Sequence, residues 1–481
     1  MRLPAATFLV LAGLPVAVQT AESGRPLRAV IDDYVQEALA SNLALRSQQF
    51  DVERQLALLA EARSRFLPQL GFEARYTRAD GGREVDLPIA ELINPAYQTL
   101  NELLLANGEP ARFEDIPDTS FQFLREREQD TRLSLRQPIY APAIPAAFRA
   151  QREVLDSTQY ARQALARRLE RDVTVGYLDW LRARSSVEIV ASSLALLQEN
   201  LRVNNSLYEN GRVTRDQVLR AQAELLEVQQ QRREIENRAA RNGQLVNFLL
   251  NRNLDAPLEV SSTSSRDSAV NADATAEVAL LHDDGELRSS ALDRRPELRE
   301  LEALERAAGF QVDQQRAARQ PLVSIGVDGG IQGEDYDFGT GYNYGTASVQ
   351  FTVPLFDGGA IRSRVDAARA VARQTAVRRE EAARQIELEV QQSLDRLRTA
   401  TDSLATAEAR AEAASAGFRI ASSKRDLGAI NQVEFLDARN ALTGAELNLN
   451  LTRFELLSRQ AELAYATAVN PLLLPPGELV P

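Results

Sequence analysis

A chain of 481 residues has room for two or three ordinary domains or for one very elongated one. Aromatic residues make up only 6%, cysteine is absent, and histidine and methionine occur once each. These counts exclude a disulfide framework, a thiol nucleophile and a lipid anchor on cysteine, and one imidazole is too few for a zinc site or a histidine triad.

With 56 Lys and Arg against 68 Asp and Glu, the net charge is −12, and the two signs are interleaved as on solvated helix faces. No basic excess marks a nucleic-acid partner, and no cofactor, metal or enzymatic motif stands out. His282, in Leu281-His282-Asp283, reads as a surface loop residue.

In chain order, Arg2 and the apolar run Phe8–Val18 read as a signal peptide over residues 1–21, with Ala21 the last residue removed. No later segment offers the ~18 consecutive apolar residues of a membrane helix, so a membrane location would require strands. Residues 22–254 form a first unit. A helix from Leu27 to Phe66 ends ahead of Pro68. In a strand at about 69–78, Leu70, Phe72, Ala74 and Tyr76 alternate with Gly71, Glu73, Arg75 and Thr77. An insertion over 84–129 reads as an extended outer loop, followed by a return strand at about 130–137. A helix from Ala143 to Tyr208 would then be on the order of 100 Å long. After a turn at Gly211 the chain returns with seven-residue spacing: Val218, Leu225, Arg232, Ala239 and Val246 in one row, Ala221, Val228, Ile235, Asn242 and Leu249 in the other. This is the seam of an antiparallel coiled coil.

Residues 255–289, rich in Ser, Asp and Ala, read as a linker or equatorial segment. Residues 290–470 repeat the first pattern: a helix from Asp293 to Gln320, strands at about 322–332 and 346–353, a long helix from Ile361 to Lys424, a turn at Gly428 and a returning helix. Residues 471–481 are left as a periplasmic tail. The repeat is a matter of register. Ala38, Leu45 and Pro68 match Ala291, Leu298 and Pro321 at one constant separation. Leu133-Ser134-Leu135-Arg136-Gln137-Pro138 matches Val349-Gln350-Phe351-Thr352-Val353-Pro354 at a separation shorter by about 37 residues, the size of the insertion in the first copy.

The strand alternation suits a membrane barrel and a soluble antiparallel sheet equally. Four strands cannot close a barrel alone, because the edges would leave backbone groups unpaired in lipid, so several chains would have to pool theirs. The charged outer faces of the long helices belong in water.

At this point Ala38-Leu39 with Asn42, Arg65-Phe66-Leu67-Pro68, Val353-Pro354-Leu355-Phe356-Asp357-Gly358-Gly359 and the two Gly turns together resemble the TolC family of outer-membrane efflux proteins. The resemblance covers nearly all the mature chain. It implies a mainly α fold with a small β part, in which two repeats of long antiparallel coiled-coil helices plus a β-hairpin trimerise. The homotrimer would form a twelve-stranded barrel in outer-membrane lipid, continued by a periplasmic α-helical barrel. The partners implied are a periplasmic adaptor protein and an inner-membrane pump. The adaptor-contacting residues would be Gly211, Val213 and Thr214 in one turn and Gly428, Ile430 and Asn431 in the other, with Val213 and Ile430 exposed.

The resemblance also places an acidic pair at the narrow entrance, here Glu434 and Asp437, one helical turn apart. Rings of carboxylates there would favour cations and raise some of one another's pKa values. By composition alone the pair reads as solvated surface charge. Ile430 stands where the entrance latch of the best-known member is basic, and Arg425 where its partner is aromatic. Two alternatives stay open: an exit duct for type I protein secretion on the same scaffold, and, in another class, the periplasmic adaptor itself. Cargo, whether drug, metal ion or polypeptide, is not written in the sequence, although the scarcity of Met, Cys and His speaks against a soft-metal relay.

Overall fold

The computed structural model describes residues 25–261 and 284–468; the expected leader, most of the linker with His282, and the tail lie outside the described residues. The elements run α1 (Leu27–Ser41), α2 (Leu43–Ser64), β1 (Gln69–Arg78), β2 (Glu84–Leu87), α3 (Ile89–Ala106), β3 (Thr119–Gln122), β4 (Arg127–Tyr140), α4 (Ala143–Glu209) and α5 (Arg215–Leu249). They continue as α6 (Asp284–Arg294), α7 (Pro296–Ala317), β5 (Leu322–Gly333), β6 (Asn343–Thr352), α8 (Ala360–Asp426) and α9 (Gln432–Thr467). The long helices α4 and α8 both have 67 residues, and the returning helices have 35 and 36, so the duplication is preserved in length. No described helix is long and apolar enough to cross a membrane.

The chain divides into two units. One comprises residues 55–155 and 304–375 and holds every described strand. Its four-stranded antiparallel sheet runs β1-β4-β5-β6, so the two hairpins are joined through β4 and β5. Register sorts the residues by chemistry. Leu70 pairs with Leu135, Leu135 with Val327 and Val327 with Ala347, and Phe72, Ile325, Val349 and Phe351 share that face. These side chains are largely exposed, Phe72 at 70% and Val349 at 72%. The other face is charged: Arg132 meets Glu73 at 2.6 Å, Arg75 meets Asp130 at 3.5 Å and Arg136 meets Asp328 at 3.4 Å. Glycines make room for this ladder. A Cβ on Gly326 would stand 2.7 Å from the Arg136 guanidinium, and one on Gly330 would stand 2.8 Å from Arg132 Cβ.

In the insertion the expectation of an extended loop gives way to a folded element, with β2 paired to β3 and the 18-residue helix α3 between them.

The second unit comprises, of the described residues, 25–54, 156–261, 284–303 and 376–468. One core gathers Val30, Tyr34 and Ala38 of α1 against Val173 and Tyr177 of α4 and Val246 of α5. The other gathers Leu287 and Ala291 of α6 against Val390 and Leu394 of α8 and Leu463 of α9. Positions matched by the sequence register are matched in burial: Ala38 and Ala291 are both 0% exposed, as are Val173 and Val390. The coiled-coil seam on α5 is the row Ala221, Val228 and Ile235, all buried. Asn242, an exception to the pattern, donates from Nδ2 to the carbonyl of Asp179 on α4 at 3.0 Å.

The expected single helix from Leu27 to Phe66 is two helices, because Asn42 takes an extended conformation and starts α2 afresh. Its Oδ1 accepts from Ala44 N and Leu45 N at 3.0 and 3.2 Å, and its Nδ2 donates to Leu249 O at 2.9 Å. In the second copy the matching residue is Arg295, between α6 and α7, which donates to the matching carbonyl, Ala466 O, at 3.3 Å.

Candidate functional site

Two helical turns and the start of α9 carry the residues singled out from sequence. Both turns are closed in the same way. Gly211 and Gly428 each have φ +68°, a left-handed geometry that costs glycine nothing. Gly211 N donates to Tyr208 O at 2.9 Å and Arg212 N to Leu207 O at 2.8 Å; Gly428 N donates to Arg425 O and Ala429 N to Lys424 O at the same two distances. This is the Schellman closure, which satisfies carbonyls left over at a helix end.

The helices that follow begin differently. Asn431 Oδ1 accepts from Glu434 N at 2.8 Å and caps α9. Thr214 makes no side-chain cap on α5; its hydroxyl is turned to the Asp216 carboxylate.

Glu434 and Asp437 are both exposed in the chain and lie one turn apart on α9. Glu434 is also in the first turn of the helix, where unpaired N–H groups favour a carboxylate. It lines a groove of about 210 Å³ with Phe418, Ile420, Lys424 and Ile430.

The expectation of exposed Val213 and Ile430 is corrected: both are half-buried. The apolar surface at the second turn is supplied instead by Leu427, 83% exposed, with Ile420 and Val433 nearby.

Arg425 lies with its guanidinium 4.1 Å from the centre of the Phe435 ring and donates to Asn200 Oδ1 at 2.9 Å. Phe435 in turn sits 5.7 Å from Phe418.

Sequence reasoning missed Arg439, on the opposite side of α9 from the acidic pair and only 1% exposed. It joins three helices, meeting Glu224 of α5 at 2.6 Å and the hydroxyl of Ser193 on α4. Burial pushes its pKa down, and Glu224 opposes that shift. Nothing in the local pattern distinguishes it from the many solvated arginines, since Ser193 and Glu224 lie in the other copy. Among the described residues no group of His, Cys, Asp and Glu is placed to hold a metal.

A duplicated chain of long hairpin helices, with one open sheet that is apolar on one face and charged on the other, has the makings of a channel wall. Comparison with known proteins gives the class its family. Residues 34–252 and 287–469 match the family model described as outer membrane efflux protein. The chain belongs to that outer-membrane efflux protein family, so the resemblance to TolC-type channels holds. It is 24% identical over 389 residues, 77% of each chain, to the alkaline protease secretion protein AprF of Pseudomonas aeruginosa. It is 23% identical over 436 residues, 90% of this chain and 82% of the relative, to the toluene efflux pump outer membrane protein TtgF of Pseudomonas putida. In fold it is similar to the CmeC outer membrane channel of Campylobacter jejuni, with a TM-score of 0.74 at 16% identity over 97% of this chain and 93% of that one. The protein is thus an outer-membrane channel of the efflux type, and its family is one of channels, not of enzymes.

Proposed function

We propose that three copies close one twelve-stranded barrel in the outer membrane and continue it as a helical tube in the periplasm. There the tube receives small molecules from a periplasmic adaptor and an inner-membrane pump. The observation that carries this reading is the sheet. Its edges, β1 and β6, have no further partner strand among the described residues, one face is apolar and exposed, and the other bears a charged ladder. In lipid, open edges must pair, and only other copies can supply the partner. Apolar side chains then face lipid, and the Glu73, Arg132, Asp130 and Arg136 ladder faces the lumen. Native mass measurement in detergent tests the assembly; a monomer that conducts ions in planar bilayers would overturn it.

At the far end, Glu434 and Asp437 would line the entrance, and Gly211, Val213, Thr214, Gly428, Ile430 and Asn431 would form the turns that meet the adaptor. The exposure of Glu434 and Asp437 on one face of α9 supports the first role, and the exposed Leu427 at the second turn supports the other. In the trimer the two carboxylates per chain become two close acidic rings favouring cations. The double variant Glu434→Gln with Asp437→Asn is expected to lose cation preference in single-channel reversal potentials. Unchanged selectivity would remove the pair from the entrance. Arg425, held on Phe435 and Asn200, would act within the chain and not as a latch between neighbours.

A second reading, an exit duct for protein secretion, is favoured by the similarity to AprF, a protein named for alkaline protease secretion. A deletion strain separates the two: sensitisation to solvents and drugs supports efflux, whereas retention of a secreted polypeptide with unchanged tolerance supports the duct.

A further inference from the structure

The insertion in the first hairpin is built to a definite shape. Asn94 and Asn101, two turns apart on one side of α3, each clasp the backbone of the returning segment. Asn94 donates to Ile116 O at 3.0 Å and accepts from Ile116 N at 2.8 Å. Asn101 does the same with Phe113 at 2.7 and 3.1 Å. The Tyr97 ring completes that side, 5.1 Å from Phe113. The opposite side is left with an apolar stripe, Leu92, Leu100 and Leu103, exposed by 77, 43 and 58%. At 3.6 residues per turn these three fall on one face. Nothing in the described chain covers them.

A second uncovered apolar patch belongs to the turn between β5 and β6. That turn is also shaped, since Gly339 N donates to Asp337 Oδ1 at 2.9 Å and Tyr342 N to Gly339 O at 3.2 Å. Tyr342 lies against Gly333, where a Cβ would come within 2.5 Å of its ring. Tyr336 and Phe338 are not tucked in and are 57 and 78% exposed.

Each patch lies in a segment joined to one of the two open edges of the sheet. The insertion grows from the Arg78 end of β1, and the aromatic turn leads into β6 at Asn343. When antiparallel edges of neighbouring copies pair, those two strand ends come side by side. We propose that the α3 stripe of one copy docks on the Tyr336 and Phe338 turn of the next, forming a clasp between subunits above the barrel seam; this rests on the barrel assembly proposed above. The chemistry of α3 argues against a lipid surface as the occupant. Interfacial helices carry Lys and Arg on the polar face. The sequence Ile89–Ala106 has neither, and its charged residues are Glu91 and Glu102.

The absence of cysteine from the chain makes the test clean. Two differently tagged chains, one bearing Leu103→Cys and the other Phe338→Cys, are co-expressed and oxidised in the membrane. A covalent dimer carrying both tags, absent when Phe338→Cys is replaced by an unmodified partner chain, is expected. A trimer without that product overturns the clasp and leaves the barrel standing; loss of the trimer in the unmodified protein overturns the barrel reading, and the clasp with it. As a second measurement, Leu92→Ser, Leu100→Ser and Leu103→Ser together are expected to lower the temperature at which the trimer dissociates while leaving its helical content unchanged. An unchanged dissociation temperature, or labelling of position 103 by a lipid-confined reagent in the assembled trimer, overturns the proposal.

Discussion

The two copies of the repeat solve one problem with different chemistry. In each, the short entry helix must be tied to the end of the returning helix. The first copy uses a neutral amide: Asn42 Nδ2 on Leu249 O, supported by the Ser41 hydroxyl on Leu250 O at 2.7 Å. The second copy uses a buried guanidinium. Arg295 is 5% exposed, meets Glu297 at 3.0 Å and Glu389 at 2.9 Å, and reaches Ala466 O. The Tyr465 ring is held between Arg295 at 4.7 Å and Arg171 at 4.5 Å. A duplicated backbone therefore does not imply duplicated energetics. A neutral tie is lost cheaply, whereas a buried ion pair is costly to break from one side.

The largest expected difference follows from that contrast. Arg295→Ala should cost up to about 3–5 kcal/mol, because it takes a buried cation from two half-buried carboxylates and from the Ala466 carbonyl. Asn42→Ala should cost about 1–3 kcal/mol, for an unpaired carbonyl and a lost cap. Denaturant unfolding of the two variants side by side checks the order, and equal losses would break the comparison. Acid should sharpen it. Burial alone would raise the Glu297 pKa, but Arg295 beside it outweighs burial and holds the carboxyl below the usual range. A depressed carboxylate contributes stability above its unfolded pKa, about 4.3, and loses it as pH falls through the lower folded value. The gap between wild type and Arg295→Ala should therefore narrow below about pH 4. The Asn42→Ala gap has no titrating partner and should stay constant through the same window.

Much of this architecture was legible because it is periodic or stereochemically forced. Leu70, Phe72, Ile325 and Val349 alternate with polar neighbours because a strand has a period of two, and the sheet keeps them on one face. Gly211 and Gly428 were visible because a left-handed closure demands glycine. What stayed hidden depends on partners far away in sequence. Arg439 reads as one more surface arginine until Ser193 and Glu224 close over it. The α3 helix had its apolar spacing in plain view, but the insertion's place at the tip of a hairpin led to its being read as a loop. The half-burial of Val213 and Ile430 could not be read either, since the turn alone does not say which side chain folds back and which, like Leu427, is left outside.

Where the copies agree, the effects should agree. Gly211→Ala and Gly428→Ala each force an L side chain into the left-handed region, at about 1–2 kcal/mol. No atom lies within 4 Å of a Cβ built at either glycine, so sterics add nothing and the two losses should match in thermal unfolding. A clear inequality would mean that one turn has a partner the other lacks. Gly428→Asn should recover part of the loss, because asparagine tolerates this geometry better than alanine.

The smallest expected effects lie one step further on, where the copies diverge again. Asn431→Ala removes the side-chain acceptor for Glu434 N and should cost about 1 kcal/mol. Thr214→Ala removes a hydroxyl turned to Asp216 and not to the helix backbone, so only a few tenths of a kcal/mol should be lost. Amide hydrogen exchange separates the two, with protection falling at Glu434 in the first variant and holding at Gln217 in the second. The consequence for the entrance is direct: the cap that Asn431 supplies also fixes the first turn on which Glu434 stands. If Asn431→Ala frays that turn and leaves cation selectivity untouched, the carboxylate does not need to be held in place, and the electrostatic role assigned to the second repeat loses its structural support.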